Sequence, residues 1–204
     1  MDCIRTFEGH TYPISCLTLI NNRLISGSYD NTIKEWDIET GRCIKTFEGH
    51  RGTVSCLTSI DNRLFSGSYD KTIKEWNIET GRCIRTFEGH TDYVRCLVSI
   101  DNRLFSGGYD GTIKEWDIET GECIKTFRGH TNYVFCLIFI DNRLFSGSDD
   151  NTIKELDIET GRCIRTFNGH TDAFNCLASI NNRLFSGSGD ETIKERDVCD
   201  FPPK

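Results

Sequence analysis

The chain states one forty-residue pattern five times. Aligned on a Gly-His dipeptide, the copies place His10, His50, His90, His130 and His170 at a constant step of forty. A fixed period of this length decides architecture before any single residue does. Each copy must be one supersecondary unit that buries its apolar face only by stacking on its neighbours. The copies run over about 1–40, 41–80, 81–120, 121–160 and 161–200, so residues 1–204 read as one repeat array ending in Phe-Pro-Pro-Lys.

Within the second copy, Val54 to Ile60 alternates and is rich in strand formers, and Asp61-Asn62 offers the positive φ angles of a two-residue hairpin turn. Arg63 to Ser68, Ile73 to Asn77 and Cys83 to Phe87 read as three further strands, separated by turns at Tyr69-Asp70-Lys71-Thr72 and Glu79-Thr80-Gly81. A helical period is not sustained anywhere. The expected class is all-β, with one small antiparallel sheet of four strands per copy, which is the size of a β-propeller blade.

At this point the residues resemble a family, the WD-repeat propellers. The resemblance rests on Gly-His near the start of each copy, Ser-Gly-Ser-x-Asp at the second turn, Thr-Ile-Lys-Glu-Trp-Asp, and Glu-Thr-Gly-x-Cys-Ile. It implies a hydrogen-bonded His, Ser, Asp and Trp tetrad in each blade: His10, Ser26, Asp30 and Trp36; His50, Ser66, Asp70 and Trp76; His90, Ser106, Asp110 and Trp116. Burial is costly for an imidazole and a carboxylate unless both are paired, which gives the same set a structural reason. A Ser, His and Asp set also belongs to hydrolases, but five equivalent copies on turns and strand edges do not make one nucleophile with an oxyanion hole. No catalysis is expected. The fourth and fifth copies carry Leu156 and Arg196 in place of Trp, which predicts partial networks and looser blades there.

Every copy also carries a glutamate in the third strand (Glu35, Glu75, Glu115, Glu155, Glu195) and an arginine in the second (Arg23, Arg63, Arg103, Arg143, Arg183). With Ser26 opposite Trp36, Arg23 falls opposite Glu39 with Glu35 on the same face, predicting cross-strand ion pairs of about 0.2–1 kcal/mol each.

Composition narrows the function. A net charge of −7 offers no basic stripe for nucleic acid and no attraction to an acidic membrane surface. No apolar run, that through Cys136 to Ile140 included, approaches the roughly twenty residues of a membrane span. Met1-Asp2-Cys3 leads directly into repeat material, leaving no room for a signal peptide, so cytoplasm or nucleus is the expected location. Ten of the eleven cysteines form two columns, Cys3, Cys43, Cys83, Cys123, Cys163 and Cys16, Cys56, Cys96, Cys136, Cys176. Both columns read as reduced core thiols. Knuckles of the Cys-x2-4-Cys kind are missing from the sequence, so no metal or other cofactor is expected.

Differences between copies gather after Gly-His and beside the turn Asp. They give Tyr29, Tyr69, Tyr93, Arg95, Tyr109, Tyr133 and Phe135 where other copies carry Pro13, Thr53, Ala173, Asp149 or Gly189. In a propeller these segments ring the central channel on one face, and aromatics with an arginine are what binding hot spots are enriched in. The expected function is a non-catalytic protein–protein interaction scaffold that takes a peptide or protein on this face. The repeat style most resembles the propellers of F-box/WD-repeat receptors, which hand substrates to ubiquitin ligases. Arg95 matches a position such receptors use against phosphorylated peptides. Two alternatives stand beside it: a recently amplified or designed repeat protein without a dedicated partner, and a five-bladed lectin-like sugar binder. The phase of the repeat, opening on Cys3 to Phe7 and ending on a third strand at Ile193 to Asp197, predicts that the N-terminal strand completes the last blade and closes a five-bladed ring. Self-association through the end blades is the alternative.

Overall fold

The computed structural model describes residues 3–198. Nineteen strands fill them, and no helix occurs among the described residues. The first blade holds β1 (Ile14–Ile20), β2 (Arg23–Ser28), β3 (Ile33–Trp36) and β4 (Cys43–Phe47). The second holds β5 (Val54–Ile60), β6 (Arg63–Ser68), β7 (Ile73–Trp76) and β8 (Cys83–Phe87). The third holds β9 (Val94–Ile100), β10 (Arg103–Gly108), β11 (Ile113–Trp116) and β12 (Cys123–Phe127). The fourth holds β13 (Val134–Ile140), β14 (Arg143–Ser148), β15 (Ile153–Leu156) and β16 (Cys163–Phe167). The last has only β17 (Phe174–Ile180), β18 (Arg183–Ser188) and β19 (Ile193–Asp197). Every sheet is an antiparallel meander in chain order.

Turn chemistry sets these hairpins. Asn21 and Asn22 take φ of 46° and 63°, as a tight primed turn between right-twisted strands requires. Between β3 and β4, Asp37 Oδ1 accepts the Glu39 and Thr40 amides at 2.9 Å, and Gly41 takes the left-handed φ of 76°. β1, β5, β9, β13 and β17 are the innermost strands and pack in sequence against one another.

The core lies between blades. Ile20, Ile25, Ile33 and Phe47 of the first blade form one buried cluster with Val54, Leu64, Trp76 and Ile78 of the second. The same eight positions recur at the next junction as Ile60, Phe65, Ile73, Phe87, Val94, Leu104, Trp116 and Ile118. Burying six to eight apolar side chains per junction, at about 1.5–3 kcal/mol each, makes the junction the main stabilising unit of the array.

Several expectations are corrected. Cys3 to Phe7 carries no strand pairing and the last blade has three strands among the described residues, so the ring closure drawn from the sequence is not shown. This segment is held by the first blade: Phe7 meets the Trp36 ring edge-on at 5.9 Å, and Arg5 Nη1 donates to the Ile38 carbonyl. The register between β2 and β3 also differs by two residues, because Leu24 and not Ser26 stands opposite Trp36. Arg23 therefore reaches Glu35 and, on the next blade, Glu79. The glutamate column is buried in the first four blades, a stronger demand than a surface ion pair meets. Glu75 takes Arg63 Nε at 2.7 Å and Arg85 Nη1 at 2.9 Å, while Arg63 also donates to Glu119 and to the Ile118 carbonyl of the third blade. Finally, the first cysteine column is not core: Cys43, Cys83 and Cys163 are exposed on outer strands and Cys3 is exposed ahead of the first strand, while Cys176 of the second column is exposed as well. All ten cysteines among the described residues are free, and Cys199 lies outside them.

Candidate functional site

Beneath the face that varies between copies lies a repeated polar network. In the second blade, His50 Nδ1 stands 2.7 Å from Asp70 Oδ2, His50 Nε2 stands 2.7 Å from Ser66 Oγ, and Trp76 Nε1 donates to that same oxygen at 2.7 Å. One proton arrangement uses every donor. Trp76 donates to Ser66, Ser66 donates to His50 Nε2, and His50 Nδ1–H donates to Asp70, leaving the imidazole neutral. The first and third blades repeat it through His10, Ser26, Asp30 and Trp36 and through His90, Ser106, Asp110 and Trp116. Burial by itself would raise the Asp70 carboxyl. The His50 and Thr72 side chains and the Arg51 amide outweigh it and hold the group well below the usual carboxylate range. The threonine is a member that the sequence reading missed: Thr72 Oγ1 donates to Asp70 Oδ1 at 2.6 Å. Its signal was the unbroken column Thr32, Thr72, Thr112, Thr152, Thr192.

The last two blades depart from this in different ways. Arg196 restores the missing donor, since its Nη1 donates to Ser186 Oγ at 2.7 Å where Trp76 donates to Ser66. The expected partial network in the fifth blade is thus a complete one with a different donor. Leu156 brings no donor, so Ser146 Oγ keeps His130 Nε2 at 2.8 Å but has no counterpart to the Trp76 donation. Beside Leu156 lies a gap lined by Ile113, Phe127, Gly129, His130 and Lys154, too tight for a water molecule. Such a void forfeits dispersion contacts. Leu156→Trp fills it and returns a donor to Ser146, so the urea midpoint should rise by the equivalent of about 1–2 kcal/mol. A lowered midpoint would show that the gap has relaxed around leucine.

Above the tetrads, the aromatic residues singled out in the sequence form one ladder. Tyr69, at the second turn of the second blade, stacks on Tyr93 of the third with centroids 4.4 Å apart. Tyr109 of the third stacks in the same way on Tyr133 of the fourth at 4.3 Å. Tyr29 meets Tyr69 edge-on at 6.4 Å, Tyr93 and Tyr109 lie 5.6 Å apart, and Phe135 abuts Tyr109 at 5.7 Å. The ladder therefore runs unbroken from the first blade to the fourth. Tyr29, Tyr93 and Tyr133 are exposed at its surface. Burial raises the Tyr69 phenol to about 12, with Tyr109 and Tyr29 adding to it and Arg95 opposing.

Arg95 lies at the start of β9, the innermost strand of the third blade. At the same position, Ser15 and Ser55 spend their hydroxyls on Gly27 and Gly67 and on the Val54 and Val94 carbonyls of the following blade. Arg95 makes no hydrogen bond or ion pair among the described residues. Its charge is felt by the Tyr69 phenol and by the thiols of Cys16, Cys56, Cys96 and Cys136 beneath it. Burial pushes the Cys16 thiol up to about 11 and the Cys56 and Cys136 thiols up to about 12, so all three stay protonated and unreactive at neutral pH. No cluster of metal-ligating side chains occurs among the described residues.

The family of the WD domain, G-beta repeat, matches residues 1–37, 41–77, 81–117, 121–155 and 161–195. A single repeat is 58% identical over 38 residues to a probable E3 ubiquitin ligase complex SCF subunit, sconB, of Emericella nidulans, taking in 19% of this chain and 6% of that protein. The sconB protein of Aspergillus niger is 54% identical over 39 residues, with the same shares. The chain thus spans one small part of each of these relatives. Among solved structures, the computationally designed Ika8 protein superposes with a TM-score of 0.85 at 37% identity, covering 94% of this chain and 60% of that one. The WD40 beta propeller domain of Doa1 superposes at 0.83 and 28% identity, covering 93% of this chain and 65% of that one. Blades built in meander order, the repeated His, Ser and Asp network and a family match in every copy leave one conclusion: the chain belongs to the WD domain, G-beta repeat family.

Proposed function

We propose that the chain is a non-catalytic interaction scaffold that binds a peptide or an extended protein segment along the ladder of Tyr29, Tyr69, Tyr93, Tyr109, Tyr133 and Phe135, with Arg95 as its charged anchor. The observation that carries this reading is the continuity of the ladder across four blades beside an arginine with no partner of its own. Tyrosines stacked on one another are already ordered, so a ligand gains contact area while little side-chain entropy is lost. An unpaired guanidinium among them favours a carboxylate or similar anionic group of the ligand. The family is generally non-catalytic, and here each tetrad serine oxygen is buried, as Ser66 is beneath its Trp76 donor. A sugar binder would need equivalent sites on each blade, whereas the tyrosine beside the turn Asp gives way to Asp149 and Gly189 in the last two. The partner class is protein, with neither nucleic acid nor membrane implied by a chain of charge −7. The sconB relatives are named as subunits of an SCF complex, which supports a receptor-like role in cytoplasm or nucleus.

The test is panning a displayed library of random peptides on the immobilised chain, followed by measurement of the selected peptides. Arg95→Glu and Tyr133→Ala should each weaken binding at least about tenfold, or 1.4 kcal/mol, with Tm unchanged. Ile84→Glu, exposed on the outer strand β8, should have no effect. Selected peptides that ignore both face variants would place binding elsewhere.

A further inference from the structure

One buried carboxylate lacks what its counterparts have. Glu35 is 3% exposed, and its Oε2 has no hydrogen-bond partner among the described residues. Its cations stand off, with Arg23 Nη1 at 3.5 Å and Lys45 Nζ at 3.6 Å. Glu75, by contrast, takes Arg63 Nε at 2.7 Å and Arg85 Nη1 at 2.9 Å, and Glu155 takes Arg165 Nε at 3.0 Å.

Two differences between copies account for this. In the other blades the second-strand arginine lies over a phenylalanine, as Arg63 does over Phe65 at 5.6 Å and Arg103 over Phe105 at 5.4 Å. The first blade has Ile25 there, and Arg23 turns instead to Glu79 of the second blade, its Nη2 at 2.8 Å. On the fourth strand, Lys45 stands where the second and fourth blades carry Arg85 and Arg165. A lysine ends in a compact ammonium, and that of Lys45 is spent on the Ile78 and Glu79 carbonyls. The third blade shares only the lysine. There Arg103 Nε still reaches Glu115 at 2.8 Å, although Glu115 Oε2 has no partner among the described residues.

Beside Glu35 lies a cleft of about 410 Å³ that Arg23, Lys45, Ile44 and Glu79 also line. It belongs to the junction of the first and second blades. Glu35 shares a face of β3 with Ile33, two residues before it, and Ile33 clusters with Val54 and Leu64 of the second blade. Three carboxylates line the cleft, Glu35, Asp37 and Glu79, against the two cations Arg23 and Lys45, so it is negative on balance.

We propose that this cleft takes the guanidinium of an arginine side chain presented by a protein partner. The chain's own blades show the fit, because Arg85 and Arg165 donate to the Oε2 atoms of Glu75 and Glu155 from this side of the sheet. An incoming guanidinium supplies the donation that Lys45 does not, and its positive charge balances the cleft. Its planar fork matches a carboxylate as an ammonium cannot. The methylenes behind it have Ile44 to lie against. The source of the arginine rests on the reading of the chain as a protein-interaction scaffold, and the site itself is separate from the tyrosine face.

The test is titration of the full chain with Nα-acetyl-L-arginine methylamide, followed by the carbon-13 signal of the Glu35 carboxyl group, assigned by its loss in Glu35→Gln. The signal should shift saturably with a Kd on the order of millimolar, and the blocked lysine and guanidinium chloride should each bind at least about tenfold more weakly. Lys45→Arg supplies the guanidinium from within, as in the second and fourth blades, and should abolish the response while Tm holds or rises. Ile25→Phe gives Arg23 its ring, returns its Nε to Glu35 and should weaken the response as well. A wild type without a saturable shift overturns the proposal, as do a blocked lysine that binds equally and two folded variants that respond undiminished. Guanidinium chloride binding as tightly as the blocked arginine would remove a protein side chain as the occupant. None of these results depends on peptide binding at the tyrosine face, so the two readings fail separately.

Discussion

Replacing Trp76 by alanine should lower the unfolding free energy by about 3–5 kcal/mol, the range for an aromatic side chain removed from a packed core. Trp76 is 1% exposed and belongs to the junction cluster between the first and second blades. Its ring receives the edge of Phe47 at 6.0 Å and of His50 at 5.8 Å, and Gly49 lies so close that a Cβ there would meet the indole at 3.3 Å. Its Nε1–H is the proton that Ser66 Oγ accepts. The alanine variant thus loses volume, aromatic contact and a donor together. Trp76→Phe separates these losses, because it keeps most of the apolar area and removes only the donor, for about 1–2 kcal/mol. Urea midpoints of the two variants measure the difference. Equal midpoints would mean that the donor and not the packing holds the blade, and an unchanged Trp76→Ala would remove the tetrad from any account of stability.

The blades were legible in the sequence because their signals are local. Strand alternation, the Asn21-Asn22 turn and the left-handed Gly41 are each set by a few neighbouring residues, and fivefold repetition separates them from chance. What the sequence did not disclose depends on the step between blades. The pairing of Arg63 with Glu119, the stacking of Tyr69 on Tyr93 and the seating of Val54 on Gly27 all cross a blade boundary, and no spacing within one copy encodes them. The tyrosine columns could be found only because the copies disagree there. Their union into one ladder needed the geometry of adjacent blades. Cys43 and Cys83 misled for a related reason. A cysteine in a strand reads as core, yet the fourth strand is the outermost of its blade and faces solvent. Arg196 looked like decay of the tetrad because residue type alone does not reveal that a guanidinium can reach Ser186 and donate as an indole does.

The second large effect concerns the buried glutamates. Glu75 is 2% exposed, and its carboxylate is compensated by Arg63 on one side and Arg85 on the other. Both arginines keep about a quarter of their side chains in solvent, so removing Glu75 leaves two cations that water and the Ile118 carbonyl still serve. Removing the arginines is the harsher change. In Arg63→Met with Arg85→Met, the carboxylate stays in the sheet without either cation, and stranding a buried charge costs about 3–5 kcal/mol. Adding Glu75→Leu to that pair should return most of the loss, because apolar residues of similar size replace a buried ionic group at little or no net cost. Both variants share whatever is lost with the contacts of Arg63 to Glu119 and Ile118 of the third blade, so the comparison of double with triple isolates the stranded charge. Urea unfolding gives the result directly. A triple variant no more stable than the double would assign the loss to the broken tie between blades, and Glu75 would then be a passenger of Arg63 and not the reason the arginine is there.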